Sequence, residues 1–157
     1  MEKKTGPNPT DRAKSGTERS LLTDGEGVPL ALTVSGANVP DMRLVHETLK
    51  RFAVRRPQPN ERKQHFCGDK GYDYADVRAF LRRRGYTLHI PMRGELKRKR
   101  RPPSRHRARC WVVERSHSWM NRDRRLLIRW EKKAATYEAF LHLGCAWIAY
   151  RAAGDPG

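Results

Sequence analysis

Residues 93–109 hold nine Lys or Arg side chains against a single acid, Glu95. No fold of this size can bury such a run, and Pro102 and Pro103 stop a helix from passing through it. It must be an exposed loop, and it divides the chain into a strand-rich part before it and a helical part after it. What remains must build one modest core, for which 157 residues at 37% hydrophobic content suffice as a single domain. The basic excess follows the same division. Residues 1–60 carry 10 Lys or Arg and 7 acids, whereas residues 61–157 carry 24 and 10. A net charge of +17 opposes compaction and calls for a polyanionic partner, nucleic acid before any other.

The apolar stretch at residues 139–150 is interrupted by His142 and falls short of the roughly 20 residues that a membrane span needs. No secretory apolar region follows Met1. Cys67, Cys110 and Cys145 are scattered, with no CxxC pair. This excludes a disulfide framework or a Cys-rich zinc site and fits a reducing cytoplasm.

Residues 1–19 show no hydrophobic period and are predicted irregular. Two β-rich runs, residues 20–23 and 29–35, flank Asp24-Gly25-Glu26-Gly27, the pattern of a hairpin. Asp41 is placed to cap a helix with Met42, Val45, Leu49 and Phe52 on one side. Residues 55–62, with Pro57 and Pro59, read as a linker. A short strand over residues 65–68 leads into Asp69-Lys70-Gly71. A second helix is expected to start at Asp73, turn Val77, Phe80 and Leu81 inward, and stop at Gly85. Residues 87–90 read as a strand closed by Pro91. The spacing then predicts one long helix over 111–130 and another over 137–151, with Phe140, Leu143 and Trp147 on its inner stripe. This order defines an α/β chain: a small mixed sheet covered by helices over residues 20–152, with the basic loop at 93–109 and a tail at 153–157.

Two acids stand out against the basic background. Asp69 lies where a strand runs out into a glycine-containing turn, a common position for catalytic groups in α/β sheets, although Asp before Gly is also ordinary turn chemistry. Glu114 shares a polar helical stripe with His117, Ser118, Asn121 and Arg125, away from Val112, Trp119 and Leu126. A solvated face with ion pairs would look the same. Together the acids fit phosphodiester chemistry, in which divalent cations polarise the phosphoryl oxygen and generate the nucleophile. Hard Mg²⁺ needs only a few carboxylates, and surrounding arginines grip the backbone phosphates.

Residues 111–133, Trp-Val-Val-Glu-Arg-Ser-His-Ser-Trp-Met-Asn-Arg-Asp-Arg-Arg-Leu-Leu-Ile-Arg-Trp-Glu-Lys-Lys, resemble the C-terminal signature of bacterial insertion-sequence transposases of the DDE type. Cys67-Gly68-Asp69-Lys70-Gly71-Tyr72-Asp73 resembles the second-Asp motif of the same family. Gly6-Pro7-Asn8-Pro9-Thr10-Asp11-Arg12 and residues 21–30 resemble the segment after its first catalytic Asp. Residues 35–41, His89-Ile90-Pro91 and Arg93-Gly94-Glu95 extend the likeness from about Gly6 to Arg151. Glu18 and Ser20 depart from it, standing where Lys and His are usual, as does Asp123, where an aromatic is usual.

The resemblance implies a ribonuclease H-like fold and two-metal cutting and joining of DNA at element ends. It makes Asp69 and Glu114 the second and third acids and Mg²⁺ or Mn²⁺ ligands, with His117 and Asn121 supporting them. The first acid is expected upstream of the Gly6 segment, on a first strand that this chain is expected to lack. Metal binding is then impaired and the chain alone inactive. Double-stranded DNA, as element ends and target, is the expected partner. The basic groups expected to hold it are Arg93, Lys97, Arg98, Lys99, Arg100, Arg101, Arg115, Arg122, Arg125 and Arg129. A second copy or a full-length transposase is a further expected partner, and the nucleoid within the cytoplasm the expected location. The alternative is a non-catalytic basic DNA-binding remnant that interferes with an intact transposase. A ribosomal-type RNA-binding protein would account for the charge but not for the contexts of Asp69 and Glu114.

Overall fold

The computed structural model describes residues 4–9, 12, 14–93 and 111–154. The chain forms two compact units instead of the expected single domain, one from residues 1–54 and 111–157 and the other from residues 55–110. The expected single mixed sheet is likewise two sheets among the described residues, one antiparallel and one parallel. Each satisfies its backbone locally, the first through a hairpin and the second through a helical crossover.

In the first unit, β1 (Gly6–Pro7), β2 (Ser15–Thr23) and β3 (Pro29–Gly36) pair antiparallel in that order. The β2–β3 hairpin is where the sequence puts it, but β2 begins at Ser15, inside the segment read as irregular. The turn is closed by Asp24, whose Oδ1 accepts from the backbone N–H of Glu26 and of Val28, both at 2.9 Å. Gly27 takes φ +88°, open to glycine at little cost. From Ala31 to Gly36, β3 is buried on both faces. Helix α1 (Asp41–Lys50) buries Leu44, Val45, Thr48 and Leu49. The Thr48 hydroxyl donates to Ser20 Oγ at 2.9 Å, so these two buried hydroxyls satisfy one another. Asp41 begins this helix but does not cap it: Pro40 occupies the cap position.

The expected long helix over 111–130 is interrupted. Helix α3 (Trp111–Met120) ends in a turn, and α4 (Arg124–Leu127) starts afresh with Asp123 as its N-cap, accepting from Arg125 N at 3.2 Å. An Asp side chain that competes for backbone N–H groups favours a cap over a helix interior. Arg125 therefore does not continue the Glu114 stripe, and Trp130 lies outside any helix.

Helix α5 (Ala134–Ala152) also differs from expectation. Tyr137, Leu141 and Ile148 face the core, whereas Leu143 and Trp147 are 66% and 59% exposed. Apolar residues surround this helix, so their spacing cannot select a side. The choice is made at Gly144, where an added Cβ would lie 2.7 Å from Leu126 Cδ1. Leu126 packs against that gap, and the core gathers beside it from Leu32, Val34, Met120, Tyr137, Leu141 and Ile148.

In the second unit, β4 (Gln64–Cys67) and β5 (Tyr86–His89) pair in parallel, linked by a 3₁₀ turn (Lys70–Tyr72) and α2 (Ala75–Arg83). Helix α2 starts two residues later than expected. Its Val77 and Leu81 are fully buried, and Gly85 ends it at φ +80°. Among the described residues no helix is long and apolar enough to cross a membrane.

Candidate functional site

Asp69 follows the carboxyl end of β4 after one glycine and is exposed. Its Oδ1 accepts from Gly71 N at 2.7 Å and so caps the 3₁₀ turn. A Cβ on residue 71 would lie 2.8 Å from that oxygen, so this arrangement requires glycine there. The loop is latched from its far side. Arg93 donates through Nε to Lys70 O at 3.0 Å and through Nη1 to the Tyr74 hydroxyl at 2.8 Å, and stacks over the Tyr74 ring. Asp73 accepts from Arg93 N and, at 2.6 Å, from Arg78 Nε. These two hydrogen bonds, the first above all, hold its carboxyl below the usual range. The sequence marks Arg93 as a DNA contact. The structure shows its side chain holding the Asp69 loop, a tie across 19 and 23 positions that has no local sequence signal.

Glu114 is exposed in the first turn of α3. The residues after it bind α3 to the hairpin turn. Ser116, fully buried, donates to Gly27 O at 2.6 Å. Arg115 donates to Glu26 O and lies between the rings of Trp111 and Trp119, at 5.0 and 4.8 Å. His117 is half-buried, and burial followed by the charge of Arg19 lowers its pKa below 6.5, leaving it neutral at pH 7. Asn121 accepts from Arg19 Nη1 at 3.2 Å, a link that spans 102 positions and has no local sequence signal.

The basic residues divide into two groups. Arg122 and Arg125 are exposed. Arg129 is turned inward, donating to Glu131 O at 3.0 Å, to Lys4 O at 3.2 Å and to Thr17 Oγ1 at 2.8 Å. Lys97, Arg98, Lys99, Arg100 and Arg101 lie outside the described residues. Among the described residues no three His, Cys, Asp or Glu side chains gather as a metal site. Cys67 and Cys145 are free thiols, and burial pushes Cys145 up to about 11, which keeps it unreactive at neutral pH.

Residues 66–151 match the family described as "Transposase DDE domain", a stretch that contains both Asp69 and Glu114. The chain belongs to the DDE transposases of insertion sequences. Over 150 residues it is 39% identical to a Burkholderia cepacia protein that carries the name of a transposase for insertion sequence element IS402. That alignment takes in 94% of this chain and 69% of the relative. No solved structure is a significant match.

Proposed function

We propose that this chain supplies Asp69 and Glu114 as two carboxylates of a transposase's metal-binding triad, on a ribonuclease H-like scaffold, and that its arginines hold duplex DNA at element ends. The reading rests above all on the Asp69 loop. An exposed carboxylate at the carboxyl end of a parallel strand is tied to Gly71 N and latched by Arg93 and Asp73. So much local structure around a solvent-facing acid suits a ligand that must be held in place. Both acids are hard oxygen donors, as Mg²⁺ or Mn²⁺ requires. A bound cation would supply charge stabilisation at the scissile phosphate and a more acidic nucleophilic water. Exposed arginines such as Arg122 and Arg125 would neutralise backbone phosphates.

Asp24 and Asp73, two further aspartates beside turns, are more heavily engaged, Asp24 by two backbone N–H groups and Asp73 by Arg78 and Arg93, and neither is assigned as the first acid. Asp69 and Glu114 alone are expected to bind a cation weakly, since two carboxylates leave most of its coordination to water. Mn²⁺ titration followed by calorimetry tests the assignment: Asp69→Ala and Glu114→Ala should each weaken binding several-fold. Metal-dependent nicking of end-bearing DNA by any protein that carries this chain should be abolished by either substitution. Mn²⁺ affinity unchanged in both variants would remove the assignment. The alternative role, a DNA-binding partner that interferes with an intact transposase, is favoured by the same commitment of Asp24 and Asp73, and it requires duplex binding without cleavage.

A further inference from the structure

The parallel ladder of the second unit sets His65 beside Thr87 and Cys67 beside His89. Side chains alternate along a strand, so His65, Cys67, Thr87 and His89 share one face of this sheet, and Phe66 and Leu88 take the other. Phe66 is buried, whereas His65 and Cys67 are exposed and His89 is half-buried. The two histidines are diagonal neighbours on that face, and their rings meet. His65 Nδ1 lies 2.8 Å from His89 Nε2, with the ring centroids 5.0 Å apart. One of these nitrogens donates and the other accepts. When the shared proton moves to the other nitrogen of its ring, both facing nitrogens turn lone pairs toward the same point.

The separation of the two nitrogens discriminates between ions. Imidazoles bound at about 2.0 Å stand ~2.8 Å apart at right angles on a tetragonal ion and ~3.3 Å apart on a tetrahedral one. The observed spacing is the former. We propose that His65 and His89 form a binding site for a divalent ion of tetragonal geometry, Cu²⁺ ahead of Ni²⁺, with water completing its shell. Imidazole suits these ions, whereas the carboxylates of Asp69 and Glu114 suit Mg²⁺. Among the described residues no set of three His, Cys, Asp or Glu side chains forms a metal-holding group, which leaves this two-histidine site open and exchangeable. A bound ion ties β4 to β5 through residues 24 positions apart. Gly68 N donates to His89 O at 3.3 Å, and Asp69 follows directly, so the tie braces the strand end from which the Asp69 loop departs. The inference requires neither DNA nor the transposase reading.

The test titrates the full chain with Ni²⁺ by calorimetry in excess Mg²⁺, which occupies oxygen sites. The tightest site should hold one equivalent. His65→Ala and His89→Ala should each weaken it at least about 10-fold, since loss of an outer-shell partner alone costs about 10–100-fold in metal affinity. His142→Ala, on α5 in the first unit, should leave it unchanged. Because the site exists only in the folded chain, Ni²⁺ should raise the melting temperature of the parent and of neither histidine variant. Electron paramagnetic resonance with Cu²⁺ adds a readout that does not depend on how the alanine variants fold. It uses Cys67→Ser, which removes a neighbouring thiol able to reduce the ion, and its spectrum should show two coordinated nitrogens. Unchanged Ni²⁺ affinity in both histidine variants, a Cu²⁺ spectrum without two nitrogens, or Zn²⁺ bound more tightly than Cu²⁺ overturns the proposal. Loss of Ni²⁺ binding in excess Mg²⁺ also overturns it, since the ion would then sit on carboxylates.

Discussion

Replacing Gly27 by Ala perturbs the joint between the hairpin turn and the helix that bears Glu114. Two costs follow from the geometry. The residue sits at φ +88°, a left-handed conformation that costs an L side chain roughly 1–2 kcal/mol. The new Cβ would lie 2.9 Å from Ser116 Oγ and 3.2 Å from Arg115 Nη2, so the Ser116 bond to Gly27 O must lengthen or break. A buried hydrogen bond of this kind contributes about 1 kcal/mol. The expected loss is therefore ~2–3 kcal/mol, read from urea unfolding as a lower midpoint at constant slope. Ser116→Ala alone should cost ~1–2 kcal/mol, because Gly27 O then loses its donor. The double variant should cost less than the two single losses added together, since the clash and the hydrogen bond share the same atom. Gly27→Ala within about 0.5 kcal/mol of the parent, or strict additivity, would refute the account of this joint.

The same unfolding assay separates the two sides of α5. Leu141→Ala, at a fully buried position, should cost ~2–5 kcal/mol, whereas Leu143→Ala, at a largely exposed one, should change stability by less than about 0.5 kcal/mol. Glu18 titrates above its ordinary 4.5 because of burial and then of the nearby Asp41 charge, so the folded state takes up its proton more readily than the unfolded one. Its contribution should be most favourable below about pH 4.5 and decline as pH rises through the raised value. Glu18→Gln should therefore gain melting temperature relative to the parent at neutral pH, with the gap closing in acid. In duplex binding followed against salt, Arg122→Gln and Arg125→Gln should each lower the log–log slope by about one, as expected for one lost phosphate contact.

Much of the local structure around the two candidate acids was legible because its signals are local. The Asp-Gly turn, the strand before Asp69 and the polar stripe around Glu114 depend on residues within a few positions of one another, where turn chemistry and side-chain period act directly. The extended likeness to DDE transposases likewise points to the family, and within it to Asp69 and Glu114 as candidate acids. The break at Asp123 was also written locally, but the apolar period running across it masked the cap. Other features had no local signal. The inward side of α5 depends on Leu126 meeting Gly144, 18 positions away, because a helix apolar all round carries no directional pattern. The tie from Arg19 to Asn121 and the bond from Ser116 to Gly27 span 102 and 89 positions. The contact between His65 and His89 exists only because β4 and β5 come together in parallel. The sequence by itself determined the hairpin, the strand before Asp69, the charge and the likeness that singles out the two candidate acids. Tertiary structure decided which apolar side chains are buried and which arginines are spent inside the chain, because burial and hydrogen bonding depend on partners brought together from distant parts of the chain.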